Sequence, residues 1–302
     1  MELRQIQYFI EVAKREHVTE AAHALHVAQS AVSRQIYNLE NELGVKLFIR
    51  EGRNVRLTPP GKIFLQHMQE AMHVIENAKR EIAEQIDPER GTVSIGFPSS
   101  MANLTLPSAI SAFRKQYPLV KFRLKQGAYR KLIDAVIHGD INMALLGPLP
   151  TNVKKIKGEI LFYEDLVALL PNSHPLASKK YLRLSELKNE SFVLFPNGYI
   201  LREIVVKACK EQNFEPTVSF EGEDIDAIKG LVSSGLGVTI IPEITLIENL
   251  PRSTVKIPVI EPKVTRTVGI IVSSEHALLP TEKIFYDFLK NFFKEKQFWQ
   301  KT

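Results

Sequence analysis

The chain has 302 residues, 44% of them hydrophobic and 24% charged, the values of an ordinary globular protein with room for two or three domains. No apolar run reaches the roughly 18 residues that a bilayer-crossing helix needs, and Met1-Glu2-Leu3-Arg4 lacks the basic-then-apolar layout of a signal peptide, so a cytoplasmic protein without membrane association is expected. The net charge is +5, yet residues 1–90 hold 12 Lys and Arg against 13 Asp and Glu, so bulk basicity cannot locate a nucleic-acid interface.

Along the chain, Leu3, Ile6, Phe9, Ile10 and Ala13 recur at helical spacing. Thr19 is placed to cap a short helix that runs through Leu25. After His26-Val27-Ala28 a third helix is predicted from Gln29 to Leu43, with Val32, Ile36, Leu39 and Leu43 on its apolar face and Gly44 as a left-handed C-cap. Two short strands, 46–49 and 55–58, flank a hairpin tip at Arg50-Glu51-Gly52-Arg53-Asn54. Pro59-Pro60-Gly61 then opens a long helix to Ile86. Met68, Ile75 and Ile82 form one seam of that helix, and Leu65, Met72, Lys79 and Ile86 the other, a heptad pattern that calls for a partner helix.

Asp87-Pro88-Glu89-Arg90-Gly91 has turn chemistry, and a domain boundary is placed there. Beyond it strands and helices alternate: strands at 92–97, 121–126, 141–146, 165–170, 192–195, 217–221, 238–241 and 266–272, helices at 105–117, 131–138, 201–213, 224–233 and 282–293. Such alternation implies α/β layers around largely parallel sheets. Cys209, the single cysteine, excludes an internal disulfide and reads as a small core residue of the 201–213 helix.

The first 60 residues have the order of a DNA reader. Ala21, Ala22 and Ala24 permit close helix packing, and the third helix offers Gln29, Ser30, Ser33, Arg34, Tyr37 and Asn38 outward. Gln and Arg can make paired hydrogen bonds to adenine and guanine edges, while Ser hydroxyls and a helix N-terminus suit phosphate. Arg50, Arg53 and Arg56 crowd the hairpin, where a wing reaches a minor groove or the backbone.

Residues 1–61 resemble the N-terminal signature of the LysR-type transcriptional regulators. The resemblance is carried by Leu3, Phe9, Ala21, Ala22, Leu25, Val27, Gln29, Val32, Ser33, Ile36, Leu39, Glu40, Leu43, Gly44, Leu47, Phe48, Arg50, Leu57, Thr58 and Gly61, with Ser30 matching in position only. Ala28 departs from the serine and Ser30 from the proline often found there, so Ala28 cannot provide a side-chain cap. The resemblance implies a winged helix-turn-helix domain over 1–59, a linker and dimerisation helix over 60–90, and a two-lobed α/β effector domain over 91–302 similar to periplasmic binding proteins. Lobe 1 then takes about 91–161 and 266–302, and lobe 2 about 162–265. It also implies a homodimer that assembles to a tetramer, operator DNA as partner, and RNA polymerase as a further partner where the regulator activates. No resident cofactor or metal is implied.

In that family the cleft between lobes holds a small-molecule effector. Carried onto this chain, the lining positions are Ser99, Ser100, Met101, Gln126, Ala128, Pro196 and Asn197. Ser99 and Ser100 read as a helix start that suits a carboxylate, and Arg202 or Arg266, near the expected cleft, is expected to add a bidentate partner for an anionic metabolite. Within the family, Ile95-Gly96-Phe97-Pro98-Ser99, Phe195-Pro196-Asn197-Gly198 and Glu221-Gly222-Glu223-Asp224 are most similar to regulators of glutamate synthase operons in low-GC Gram-positive bacteria. This implies 2-oxoglutarate or glutamate as effector; a regulator of another metabolic operon, or one controlled by protein contact, is the alternative. An enzyme is disfavoured, because no phosphate loop, nucleophile elbow or metal-ligand spacing appears.

Overall fold

The computed structural model describes residues 1–52, 54–151 and 153–295; Arg53 of the expected hairpin lies outside them. The chain divides into two compact units, one ending at Lys79 and the other beginning at Arg80. The long helix therefore contributes its last two turns to the second unit, ahead of the turn chemistry at Asp87.

The first unit contains α1 (Leu3–Arg15), α2 (Val18–Ala24), α3 (Gln29–Leu43), the hairpin β1 (Phe48–Glu51) and β2 (Asn54–Leu57), and most of α4 (Pro59–Ile86). The cap of α2 is His17, whose Nδ1 accepts the Glu20 N–H at 3.4 Å, and Thr19 is a helical residue instead. The helix starts two residues earlier than a Thr19 cap would allow, and the cap passes to the imidazole. Ala28 precedes α3 without a side-chain cap, and Gly44 closes the helix at φ 70°. Ala21, Ala22, Val32 and Ile36 pack with Tyr8, Val12 and Val55 in one cluster. Phe9, Leu39 and Leu47 form a second, against which Phe64 and Leu65 rest. Leu65 thus packs on its own domain and not on a free seam. Gly61 is required by a close approach: a Cβ there would lie 2.2 Å from the Leu47 carbonyl oxygen. Farther along α4, Ile82 and Ile86 are 68% and 84% exposed, apolar side chains without cover in a single chain.

The second unit adds β3 (Thr92–Phe97), α5 (Thr105–Gln116), β4 (Lys121–Gln126), α6 (Tyr129–Ile137), β5 (Met143–Leu146) and β6 (Ile156–Pro171). After these come β7 (Leu182–Arg183), β8 (Ser191–Leu194), α7 (Ile200–Glu211), β9 (Thr217–Glu221), α8 (Ile225–Ser233), β10 (Thr239–Pro242), β11 (Thr254–Glu261), β12 (Thr265–Ser273) and α9 (Pro280–Glu295).

The first lobe's strands run β4-β3-β5-β12-β6, and the central strand β5 is buried on both faces. Met143, Leu145 and Ile270 face α5 and α9 beside Phe113 and Phe285. Ala144, Leu146 and Ile271 face α6 beside Leu132 and Ile133. The period-two alternation sends successive apolar residues to opposite cores, which is why 143–146 is apolar throughout. The expectation of largely parallel sheets needs correction. β3 is parallel to β4 and β5, but β12 is antiparallel to β5 and β6, and β10 and β11 are antiparallel to β6. The returning strand β12 comes back from the second lobe and so enters against its neighbours.

One strand makes the outward crossing between lobes. The β6 residues from Ile156 to Asp165 pair with β12, and those from Leu166 to Pro171 pair with β10 and β11. The return crossing lies beside it, where the Leu166 N–H donates to the Val264 carbonyl at 2.9 Å. The second lobe has its own core around Phe192, Leu194, Val205, Ile228 and Ile240. Cys209 is fully buried there, and desolvation pushes its thiol up to about 12.

Candidate DNA interface and effector cleft

The reading helix α3 presents Gln29, Ser30, Arg34, Tyr37 and Asn38 to solvent, with Ser33 half-buried. Gln29 Nε2 donates to Ser33 Oγ at 3.1 Å, which orients the amide along the helix. No described residue bonds the Arg34 or Arg50 guanidinium, whereas Arg56 shares its charge with Glu51 at 3.4 Å. Two exposed cations without partners cost nothing in water and are available to an anionic surface. The wing is held in place by Glu40, which the sequence reading included only in the family signature. Its buried carboxylate accepts the Leu47 and Phe48 N–H groups at 2.9 and 3.2 Å and the Lys46 ammonium at 2.7 Å. Thr58 ties the far end: its hydroxyl donates to the Lys46 carbonyl at 2.7 Å and accepts the Gly61 N–H at 3.0 Å.

In the second unit a cleft of about 420 Å³ opens between the lobes at strand carboxyl ends. Ser99, Ser100, Gln126, Ala128, Asn197 and Arg266 of the expected set line it. Met101, Pro196 and Arg202 do not. Met101 is 1% exposed in the core of the first lobe. The Arg202 Nη1 donates to the Phe195 carbonyl at 2.9 Å and to the Glu221 carboxylate, so its charge is spent within the second lobe. The serines do not start α5: Ser99–Met101 is a single 3₁₀ turn, and α5 begins at Thr105. Arg266 lines the cleft with its charge already paired, for its Nε donates to Glu164 at 2.6 Å.

Sequence reasoning missed Tyr129, Arg130, Lys131, Tyr199 and Glu223 on the cleft wall. Arg130 and Lys131 stand in the first turn of α6, whose N-cap Ala128 makes no side-chain hydrogen bond. Neither cation has a partner among the described residues. Cations at the positive end of a helix are unfavourable unless an anion joins them. Burial, with Glu203 adding to it, pushes the Tyr129 phenol up to about 12, so it stays a hydrogen-bond donor at neutral pH. The missed signal was legible: a basic pair directly after the Gln126-Gly127-Ala128 strand end. Among the described residues there is no His, Cys, Asp and Glu group able to hold a metal, and no helix long and apolar enough to cross a membrane.

Comparison with known proteins finds two family matches along the chain. Residues 3–62 match the bacterial regulatory helix-turn-helix protein, lysR family, and residues 87–294 match the LysR substrate binding domain. The chain is 57% identical over 300 residues to the transcriptional dual regulator GltC of Bacillus subtilis (strain 168), covering 99% of this chain and 100% of that one. Its fold matches full-length CbnR complexed with target DNA at a TM-score of 0.78 and 23% identity, over 96% of this chain and 99% of that chain. The effector binding domain of QuiR in complex with shikimate matches at a TM-score of 0.64 and 25% identity, over 68% of this chain and 98% of that chain. The chain belongs to the LysR family of transcription regulators, joining a helix-turn-helix that binds DNA to a domain that binds a small-molecule effector.

Proposed function

We propose that this regulator controls glutamate synthase genes in response to a small dicarboxylate of nitrogen metabolism, 2-oxoglutarate or glutamate, bound between the lobes. The observation that carries the anionic ligand is the pair Arg130 and Lys131, partnerless at the uncapped start of α6 and lining the cleft. Ser99, Ser100, Gln126 and Asn197 supply neutral hydrogen-bonding groups around them. Glu223 on the opposite wall offers an acceptor to an ammonium, so glutamate engages that wall in addition and 2-oxoglutarate does not.

On the DNA, Gln29, Arg34 and Asn38 read base edges, Ser30 and Ser33 take phosphate, and Arg50, Arg53 and Arg56 serve the wing. Two copies pair along α4, and dimers of dimers form through the effector domains. Ligand binding shifts the assembly only as far as it favours one lobe arrangement over another. The re-spacing of paired winged helices then changes which half-sites are occupied. Because the relative GltC is a dual regulator, both activation, with RNA polymerase as partner, and repression are assigned to this chain. Titration of 2-oxoglutarate and of glutamate, recording a footprint on the operator and binding heat, tests the reading. A footprint that moves with either ligand supports it, and an unchanged footprint without heat up to millimolar ligand rejects both ligands. Arg130→Ala with Lys131→Ala should abolish the response and leave basal DNA binding intact.

A further inference from the structure

Behind the Ser100 hydroxyl lies a buried charge pair, Arg266 and Glu164, that the ligand reading does not use. Arg266 and Glu164 are direct cross-strand partners in the β6–β12 pair, at the crossing between lobes. Both are buried, their side chains 1% and 6% exposed. The guanidinium spends three of its five donors: Nε on Glu164 at 2.6 Å, Nη1 on the Gly147 carbonyl at 3.3 Å and Nη2 on Ser100 Oγ at 3.1 Å. A hydroxyl that accepts from an arginine keeps its own proton free to donate. Ser100 lines the cleft, so the direction left for that proton is toward a bound ligand.

We propose that Glu164, Arg266 and Ser100 act as one relay, in which Arg266 sets Ser100 as a hydrogen-bond donor to an anion in the cleft and anion binding draws a proton from solvent onto Glu164. The inference rests on the reading of the cleft as an anion site. One buried cation serves the floor, and Glu164 already neutralises it. A ligand carboxylate at Ser100 puts a second negative charge against the same guanidinium. Two anions sharing one buried cation favour the protonated form of the more buried one. Burial already holds the Glu164 carboxyl above its ordinary value, against the lowering effect of Arg266. Asp165, the neighbour on its own strand, raises it further and is itself bonded to Lys263 at 2.8 Å. From the cleft side the charged groups are Arg130, Lys131 and Glu223. The proton taken up makes Glu164 a neutral acid whose carbonyl oxygen still accepts the Arg266 Nε–H. Since the bound state holds the proton more tightly, binding strengthens as pH falls.

Calorimetry on the full-length protein tests this with three probes: 2-oxoglutarate, glutamate and inorganic sulfate, each in Tris and in Hepes. The wild type should show a heat that differs between buffers, reporting proton uptake. Glu164→Gln mimics the protonated carboxyl; it should bind about fivefold or more tightly, the lower end of ordinary coupling between linked sites, and show no buffer dependence. Ser100→Ala should bind about fivefold or more weakly in both buffers. Wild-type binding with buffer-independent heat overturns the relay, as does uptake retained in Glu164→Gln, or the absence of heat from every probe. If sulfate alone binds, the dicarboxylate assignment fails while the relay is judged on the sulfate heats. Should Glu164→Gln not fold, the wild-type buffer dependence and Ser100→Ala still decide.

Discussion

Glu84, near the end of α4, accepts the backbone N–H of Thr281, the second residue of α9, at 3.2 Å. A residue 197 positions away thus satisfies one of the N–H groups that a helix leaves open at its start. The joint is tight, for a Cβ at Gly91 would lie 1.9 Å from Thr281 Oγ1 and 2.6 Å from Glu84 Cδ. Arg80 closes it, donating to the Thr92 carbonyl at 2.7 Å and to Glu282 at 2.9 Å. Glu84→Ala removes the carboxylate that accepts the buried Thr281 N–H and should cost about 1–3 kcal/mol. Glu84→Gln keeps an acceptor and should lose less. Thermal denaturation of the three proteins side by side checks the order.

The same joint has a pH dependence of known sign. Burial raises the Glu282 carboxyl above 4.5, against the Leu279 N–H and Arg80, which lower it. A carboxyl raised in the folded state contributes stability in full below its unfolded value, and that contribution is lost as pH rises through the folded value. Glu282→Gln does not titrate. Its stability relative to wild type should therefore climb as pH rises upward from 4.5. Denaturant midpoints of both proteins across the carboxylate range give the answer, and a constant difference would refute it.

On DNA, Arg34 and Arg50 should separate. Arg34→Ala should weaken operator binding by roughly 1–3 kcal/mol and relax sequence preference, as loss of a paired contact to a guanine does. Arg50→Ala should weaken operator and random duplex alike and lower the salt slope by about one. Fluorescence anisotropy on both duplexes over a salt series distinguishes them; matching losses for the two variants would contradict the assignment.

Ile82 tests the dimer seam without disturbing the single chain, because it is 68% exposed there. Ile82→Glu should bury an unpaired charge against the partner helix and shift the assembly toward monomer. Light scattering reads the change, and a wild-type mass for the variant would exclude pairing through this face of α4.

Much of the fold is written in local pattern. The spans 29–43, 92–97, 121–126 and 217–221 coincide with α3, β3, β4 and β9, because apolar period and turn residues fix such elements within a few positions. β11 and the first half of β6 were not legible. Residues Lys157, Gly158 and Glu159 interrupt the strand pattern by composition and are held extended by pairing with β12. That pairing joins segments about a hundred residues apart, which no local window contains. The DNA-facing residues could be read because a helix face follows from spacing alone. The cleft could be read only as strand ends. Whether an arginine there meets a ligand depends on its partners, and these are nonlocal: Glu221 takes Arg202 and Glu164 takes Arg266, while Arg130 and Lys131 stay unpaired. Spacing reveals which face a side chain occupies; only packing decides which charges are already neutralised.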